Sequence, residues 1–162
     1  MDQIAFFWVG EDIKIPTYFV KSINNIYPDN DVKITHLTDI KTSNIEGVTN
    51  TIRSDLSEGL MVARLEAYLN YNHNDKLTYF CDADSLLLDK LDLHKFEEDF
   101  YFIKRNFEDN WLINNQDWID KYPEFSNKYF NDVMPFYAGG MLVRNGRTFF
   151  SELLNLCQNL QK

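Results

Sequence analysis

The order of strand-like and helix-like segments constrains this chain more than any other feature. Short apolar runs that suit buried strands alternate with longer segments whose apolar residues recur every three or four positions, as on one face of a helix. Strands are predicted at Ile4–Val9, Val32–His36, Val48–Ile52, Leu77–Cys81, Phe100–Lys104 and Phe136–Val143, and helices at Pro16–Ile26, from Met61 into the polar cluster Asn70–Asp75, and at Phe150–Cys157. This alternation predicts an α/β fold with a mainly parallel central sheet flanked by helices.

The composition suits one domain with a real hydrophobic core. The whole chain, residues 1–162, is expected to form a single domain, and 44% hydrophobic residues are enough to fill its interior. No apolar run is long enough to span a bilayer. A signal peptide is not expected, because Asp2 stands where such a segment carries basic residues. Cys81 and Cys157 fall in apolar patterns and are expected to be buried free thiols, which indicates a reducing, cytoplasmic location.

The charge balance narrows the range of partners. The chain has 16 basic and 25 acidic residues, which gives a formal net charge of −9. Nucleic acid is therefore not an expected partner, because its binding usually needs patches of Lys and Arg. A phosphate-bearing substrate is also disfavoured unless a bound cation mediates the contact.

Two aspartates follow the most strand-like run of the chain, Leu77–Cys81. Asp82 and Asp84 are two positions apart, and on an extended strand such residues point to the same side. Ligands of α/β proteins bind beyond the carboxyl ends of the strands, where this pair would lie. Carboxylate ligands without Cys or His at ligand spacing favour Mg²⁺ or Mn²⁺, whose open positions can take substrate phosphates. The alternative is that Asp84 and Ser85 merely begin a turn.

Four segments, taken in order, resemble motifs of the nucleotide-sugar glycosyltransferases of the GT-A fold. They are Phe7–Gly10, similar to the first strand and nucleotide-contacting loop; Ala63–Tyr68, similar to an Arg-bearing helix; Tyr79–Asp84, similar to the metal-binding Asp-x-Asp segment; and Phe136–Val143, similar to the segment lining the sugar and acceptor side. The resemblance covers nearly the whole chain. It implies a GT-A-like domain that is short at its carboxyl end, because little follows Gly140.

The resemblance implies a metal-dependent transferase. Such an enzyme would move a sugar from a nucleotide-diphosphate sugar to an acceptor, with Mn²⁺ or Mg²⁺ as cofactor. The implied positions are Asp82 and Asp84 for the metal, Trp8, Val9, Gly10, Asp39 and Arg64 for the nucleotide and its diphosphate, and Tyr137, Gly139 and Gly140 for the sugar.

These residues also have purely structural interpretations that the sequence leaves open. Arg64 could form a surface ion pair instead of pairing with the diphosphate or holding an aspartate of the metal site. Asp39 could begin a turn, and Trp8 could be a core aromatic residue. Gly139 and Gly140 could mark a β-bulge instead of a close approach to a sugar.

Relatives in the resembled family usually continue further and often supply another metal ligand, commonly a histidine. Here His36, His73 and His94 all precede Gly140. Either water and substrate complete the metal shell, or the enzyme is minimal, truncated or inactive. We therefore expect nucleotide-sugar binding with poor transfer, or a site finished by another subunit. The aromatic segment Trp111–Phe130, expected to mix helix and loop, offers apolar surface for a homo-oligomer.

Two other classes of function stay open. One is a metal-dependent phosphotransferase or hydrolase, with Asp82 as nucleophile and Lys104 or Arg105 as the downstream cation. The other is a non-catalytic module that binds nucleotide sugars. Turnover of a phosphorylated substrate would indicate the first class, and binding without turnover the second.

Overall fold

The computed structural model describes residues 1–29, 31–57, 59–104, 112–133 and 136–160. Its strands are Asp2–Phe7 (β1), Val32–Asp39 (β2), Asn50–Ser54 (β3), Thr78–Asp82 (β4), Phe100–Lys104 (β5) and Phe136–Val143 (β6). Its α-helices are Lys14–Ile26 (α1), Leu60–Leu69 (α2), Gln116–Lys121 (α3), Phe130–Val133 (α4) and Arg147–Leu160 (α5), with 3₁₀ turns at Leu93–Lys95 and Pro123–Phe125.

The strands form one mixed sheet in the order β3-β2-β1-β4-β6-β5. Strands β3, β2, β1 and β4 are parallel, whereas β6 runs antiparallel to both β4 and β5. The predicted α/β architecture with a mainly parallel sheet is therefore confirmed. The carboxyl ends of β1, β2 and β4 meet at one edge, since Phe7 pairs with Leu37 on one side and Asp82 on the other.

Each face of the sheet carries its own hydrophobic core because strand residues alternate between faces. Helices α2 and α5 cover one face, where Tyr68, Phe80 and Phe150 pack with ring centroids 4.9 to 5.3 Å apart. Helix α1 covers the other face with Phe19, Val20 and Ile23. Pro16 fits within the first turn of α1, where its missing N–H leaves no intrahelical bond unmade.

The boundaries of several elements differ from those predicted. Strand β1 ends at Phe7 rather than Val9, and β3 occupies Asn50–Ser54 rather than Val48–Ile52. The predicted mixture of helix and loop in Trp111–Phe130 is present in its described part, which contains α3, a 3₁₀ turn and the isolated bridge Leu112–Tyr129; Trp111 lies outside the described residues.

Two other expectations bear on the whole chain. Cys81 and Cys157 are both free thiols, as predicted, with Cys81 fully buried and Cys157 partly so. Each helix in the described part of the chain is too short or too polar to cross a bilayer.

Candidate functional site

The predicted metal-site carboxylates lie at the carboxyl edge of the sheet. Asp82 is the last residue of β4, and Asp84 lies two residues further, in an exposed turn. The hydroxyl of Ser85 donates to the backbone carbonyl of Asp82 over 2.7 Å and closes this turn. The turn at Asp84 and Ser85, which the sequence offered as the structural alternative, is therefore present. The same turn presents both carboxylates.

Arg64 of helix α2 forms an ion pair with Asp82. The Nη1 atom lies 2.8 Å from Oδ1 of Asp82, and the two side chains are only 17% and 29% exposed. Nη2 also donates weakly to Sδ of Met61, one helical turn away, over 3.4 Å. This places the guanidinium over the end of β4, where Arg64 holds an aspartate of the candidate site in a partly buried pair, not in the surface ion pair that was the structural alternative.

The pKa of Asp82 is raised above the usual value of an aspartate. Burial is the main cause, and the negative charge of Asp84 adds to it, while the charge and hydrogen bond of Arg64 oppose both. Desolvation of the carboxylate therefore outweighs its ion pair. A divalent cation, which would supply more positive charge at this point, would favour the ionised form.

A cleft of about 350 Å³ opens beside these three charged residues. Its wall consists of the end of β1 and the residues after it, the start of α2, and the end of β4, as follows: Phe7, Trp8, Val9, Leu60, Arg64, Asp82, Ala83 and Asp84. Five of the predicted site residues thus share one cavity. Sequence reasoning missed Leu60 and Ala83, whose apolar side chains carry no chemical signal.

Trp8 and its neighbours form the β1 side of the cleft. The indole Nε1 of Trp8 donates to the carbonyl of Asp12 over 3.1 Å, and the Trp8 carbonyl accepts from Nε2 of buried His36 over 3.1 Å. Gly10 has φ +126°, a region that glycine adopts without strain, and its N–H donates to Oγ1 of Thr42 over 2.9 Å. Gly10 therefore ties the loop after β1 to the loop after β2.

Asp39 lies at the end of β2 but does not line the cleft. Its Oδ1 accepts the backbone N–H groups of Lys41 and Thr42 over 3.1 and 2.7 Å. The bonds from Thr42 are the largest cause that lowers the pKa of the Asp39 carboxyl. The carboxylate thus forms the turn that the sequence offered as an alternative, and its contact with a ribose or base stays a prediction.

The two glycines of β6 lie at an irregularity in the sheet. The register between β5 and β6 shifts between Phe102 and Ile103, so residues 138–140 have no partners on β5. A Cβ atom on Gly140 would lie 2.7 Å from Cδ1 of Ile103 and 2.9 Å from Oη of Tyr79. The predicted bulge is therefore present. Neither glycine lines the cleft, the Tyr137 side chain is outside the described residues, and the sugar contacts of all three stay predictions.

The donor set at the strand end fits a hard divalent cation. Asp82 and Asp84 supply carboxylate oxygens, and the carboxylate of Asp84 accepts no hydrogen bond from the described part of the chain. No group of three or more His, Cys, Asp or Glu residues suited to a metal occurs among the described residues. The pair suits an ion that keeps several waters and binds together with a phosphate, as Mg²⁺ commonly does.

Comparison with known proteins gives matches in structure only. No family model and no curated protein sequence matches this chain. The galactosyltransferase LgtC, solved in complex with donor and acceptor sugar analogs, matches 92% of this chain with a TM-score of 0.55 and 16% identity. The glycosyltransferase GlyE of Streptococcus pneumoniae TIGR4 matches 98% with a TM-score of 0.57 and 17% identity, and its apo form with 0.54 and 14%.

This likeness establishes the fold. The sheet and helices described here are arranged as in these two glycosyltransferases. The matched region spans 60% of the LgtC chain and 39% of the GlyE chain.

Proposed function

We propose that this chain is a glycosyltransferase domain that binds a nucleotide-diphosphate sugar together with Mn²⁺ or Mg²⁺. The observation that carries the proposal is the convergence of Asp82, Asp84 and Arg64 on one cleft at the carboxyl edge of the sheet. The fold shared with LgtC and GlyE supports the same reading, because ligands of such sheets bind at this edge.

Asp82, Asp84 and Arg64 would have different roles in binding a diphosphate to this acidic protein. Asp82 and Asp84 would hold the ion, which would neutralise the diphosphate as it leaves the sugar. Arg64 would supply further positive charge, since the planar guanidinium matches phosphate oxygens as well as it matches the carboxylate it now contacts. Trp8 and Val9 would border the nucleotide on the β1 side of the cleft.

The transfer itself would replace one bond at the anomeric carbon with another. The bond between that carbon and the diphosphate oxygen breaks, an acceptor hydroxyl forms the new bond and loses its proton, and the nucleoside diphosphate departs. The apolar part of the cleft wall, which includes Phe7, Leu60 and Ala83, would limit water beside the breaking bond.

The arrangement favours sugar transfer over phosphoryl chemistry on Asp82. Lys104, expected to serve as the downstream cation, lies on β5 and is separated from β4 by β6. Arg105, the other cation considered, lies outside the described residues.

The decisive experiment replaces both carboxylates. The variant D82N/D84N should keep the fold but lose Mn²⁺-dependent binding of nucleoside diphosphates by about a hundredfold or more, since even outer-shell changes at metal sites cost about 10- to 100-fold. Calorimetric titration of each common nucleoside diphosphate, with Mn²⁺ and then with a chelator, measures this.

Asp29 and Asp31 provide the matched control. They have the same spacing and are exposed, but precede β2 at the opposite edge of the sheet. D29N/D31N should bind as the parent does. Equal binding by D82N/D84N would refute the site, and binding without transfer to any acceptor would identify a binding module instead of an enzyme.

A further inference from the structure

Strand β5 ends the sheet and leaves its outer backbone edge without a neighbouring strand among those described. A strand in this position presents unpaired N–H and C=O groups that can pair with another chain. Natural proteins usually protect such edges with proline, bulges, charged residues such as lysine, very short strands, or a covering loop or helix. Strand β5 has no proline, and the irregularity beside it consists of extra residues in β6.

The side chains of β5 are strand-forming and apolar on both faces. Phe100 and Phe102 lie on one face, where their rings contact Phe149 with centroids 5.0 and 5.9 Å apart. Tyr101 and Ile103 lie on the other, beside an apolar groove of about 480 Å³. Phe100, Phe102 and Ile103 remain 39%, 38% and 48% exposed, so this edge is only partly covered.

The charges around β5 have opposite signs at its two ends. The exposed acidic residues Glu97, Glu98 and Asp99 precede the strand, and exposed Lys104 is its last residue. In an antiparallel pair of identical strands, the beginning of each strand lies against the end of the other. Self-pairing would therefore bring acidic residues of each copy next to a lysine of the other, which parallel pairing would not.

We propose that β5 is a self-association edge, through which two copies of this chain join in antiparallel fashion to form one continuous sheet. With Tyr101 on the two-fold axis, Phe102 of one copy opposes Phe100 of the second, and Lys104 lies beside the acidic bend, which includes Glu98, that precedes the strand of the second copy. Aromatic pairs and opposite charges directly across two strands both stabilise a sheet. The proposed nucleotide cleft lies beyond β6 in each copy, so both clefts stay open and the proposal does not depend on their function.

Charge reversal tests the pairing. The full chain is studied by analytical ultracentrifugation from about 1 to about 500 µM. The parent should show a reversible monomer–dimer equilibrium. Lys104→Glu places like charges opposite each other at two symmetric positions and should raise the dissociation constant about tenfold, as should Glu98→Lys. The double variant K104E/E98K restores opposite charges and should recover most of the parent affinity.

Lys21→Glu is the matched control, because Lys21 is exposed on α1 and the change in charge is the same. This variant should dimerise as the parent does. Hydrogen exchange gives a second readout, in which the outward amides of residues 100–103 should become more protected as protein concentration rises.

Three results would overturn the proposal. The first is a parent protein that stays monomeric over the whole concentration range. The second is a dimer whose dissociation constant is unchanged by both charge reversals. The third is a dimer in which the amides of β5 do not become more protected as protein concentration rises. The second and third would assign association to another surface, such as the described part of the 111–130 segment. A strictly monomeric parent would indicate that the edge of β5 pairs with a different polypeptide, not with a second copy of this chain.

Discussion

At the scale of single residues, the protonation and the hydrogen bonding of the Asp82 carboxyl group would both change when a cation binds. Its carboxylate is partly shielded from water and lies near a second carboxylate, and both effects raise its pKa, whereas its one guanidinium partner, Arg64, lowers it. Arg64 occupies one of the two carboxylate oxygens that a metal ion could use. Binding of the ion and release of Arg64 towards a phosphate should therefore be coupled.

Replacing Arg64 with methionine should separate these two effects. In R64M, Mn²⁺ alone should bind a few-fold more tightly, because Asp82 Oδ1 is free of its competitor and a positive charge is gone. Binding of Mn²⁺ with a nucleoside diphosphate should weaken about tenfold, because phosphate loses a charged donor. Calorimetry with and without nucleotide measures both values.

Arg147 is the control for this substitution. It is exposed at the start of α5, which follows the end of β6 that lies away from the cleft. R147M should leave both affinities unchanged. The proposed role of Arg64 would be wrong if R64M behaved like R147M in both titrations.

The contact between Asp82 and Arg64 could be predicted because a strand and a helix place these two residues, whereas Asp84 lies in the turn after β4, where strand alternation no longer fixes its side. A strand fixes the side on which Asp82 lies, and a helix periodicity fixes the face of Arg64. Gly10 lies in a loop, and Asp39 is the last residue of β2, where its carboxylate bonds into the loop that follows, so at both positions the outcome depends on local bonds such as those from Thr42. Loop geometry has no periodic signal, so sequence alone could not distinguish the turn former from the ligand.

At the scale of elements, the turn between β6 and α5 depends on a glycine. Gly146 is buried, and an added Cβ would lie 2.5 Å from Cγ1 of Val143 and 2.9 Å from Cε2 of Phe150. Both neighbours are core residues at 1% and 0% exposure, so neither can move away easily. At Gly140, the corresponding neighbours are the outer ends of Ile103 and Tyr79.

Alanine at these two positions should therefore have unequal effects. Gly146→Ala should lower the free energy of unfolding by about 2 kcal/mol, in the range found for overpacked cores. Gly140→Ala should cost less than about 1 kcal/mol, because the tips of flexible side chains can shift. Urea unfolding of both variants gives the comparison, and a smaller loss for Gly146→Ala than for Gly140→Ala would contradict it.

The elements themselves were largely predictable, whereas their order in the sheet was not. Buried strands such as β4 have a continuous apolar run, but β3 is a mostly polar, partly exposed edge strand, so its predicted position was two residues early. Trp8 and Val9 continue the apolar run of β1 but leave the sheet before Gly10. The antiparallel insertion of β6 between β4 and β5 depends on long-range packing, which periodicity does not encode.

At the scale of the whole molecule, the buried His36 and the partly buried His73 are expected to make stability depend on pH. Burial is the main cause that lowers the pKa of both His36 and His73. In each, Nε2 donates to a backbone carbonyl, of Trp8 and Tyr68 respectively. The Nδ1 atom of His36 has no partner in the described part of the chain, so a proton there would be buried without an acceptor.

The stability of the protein should therefore fall on acidification. The unfolded chain takes up protons at these histidines below about pH 6.5, whereas the folded chain resists until lower pH. Between about pH 7.5 and about pH 5.5, the free energy of unfolding should fall by about 1 to 2 kcal/mol. Urea unfolding across this range measures the slope.

Glutamine variants identify the source of this slope. His36→Gln and His73→Gln keep a hydrogen-bond donor but cannot titrate, so the double variant should be less stable overall and nearly independent of pH in this range. Asp82 cannot account for this slope. Because its pKa is raised in the folded protein, its protonation on acidification increases the free energy of unfolding, which is the opposite direction. An unchanged slope in the double variant would show that other groups are responsible.

The position of β6 between β4 and β5 also determines the order in which the strands can pair while the chain is being synthesised, since the amino terminus leaves the ribosome first. Strands β1 to β4 can pair among themselves once Asp82 has emerged. Strand β5 comes next, yet its described neighbour β6 begins only at Phe136. At ordinary rates of translation, its aromatic residues wait on the order of a few seconds for that partner. Newly made chains are thus most exposed to mispairing at this half of the sheet, and the interval ends only when Val143 is in place.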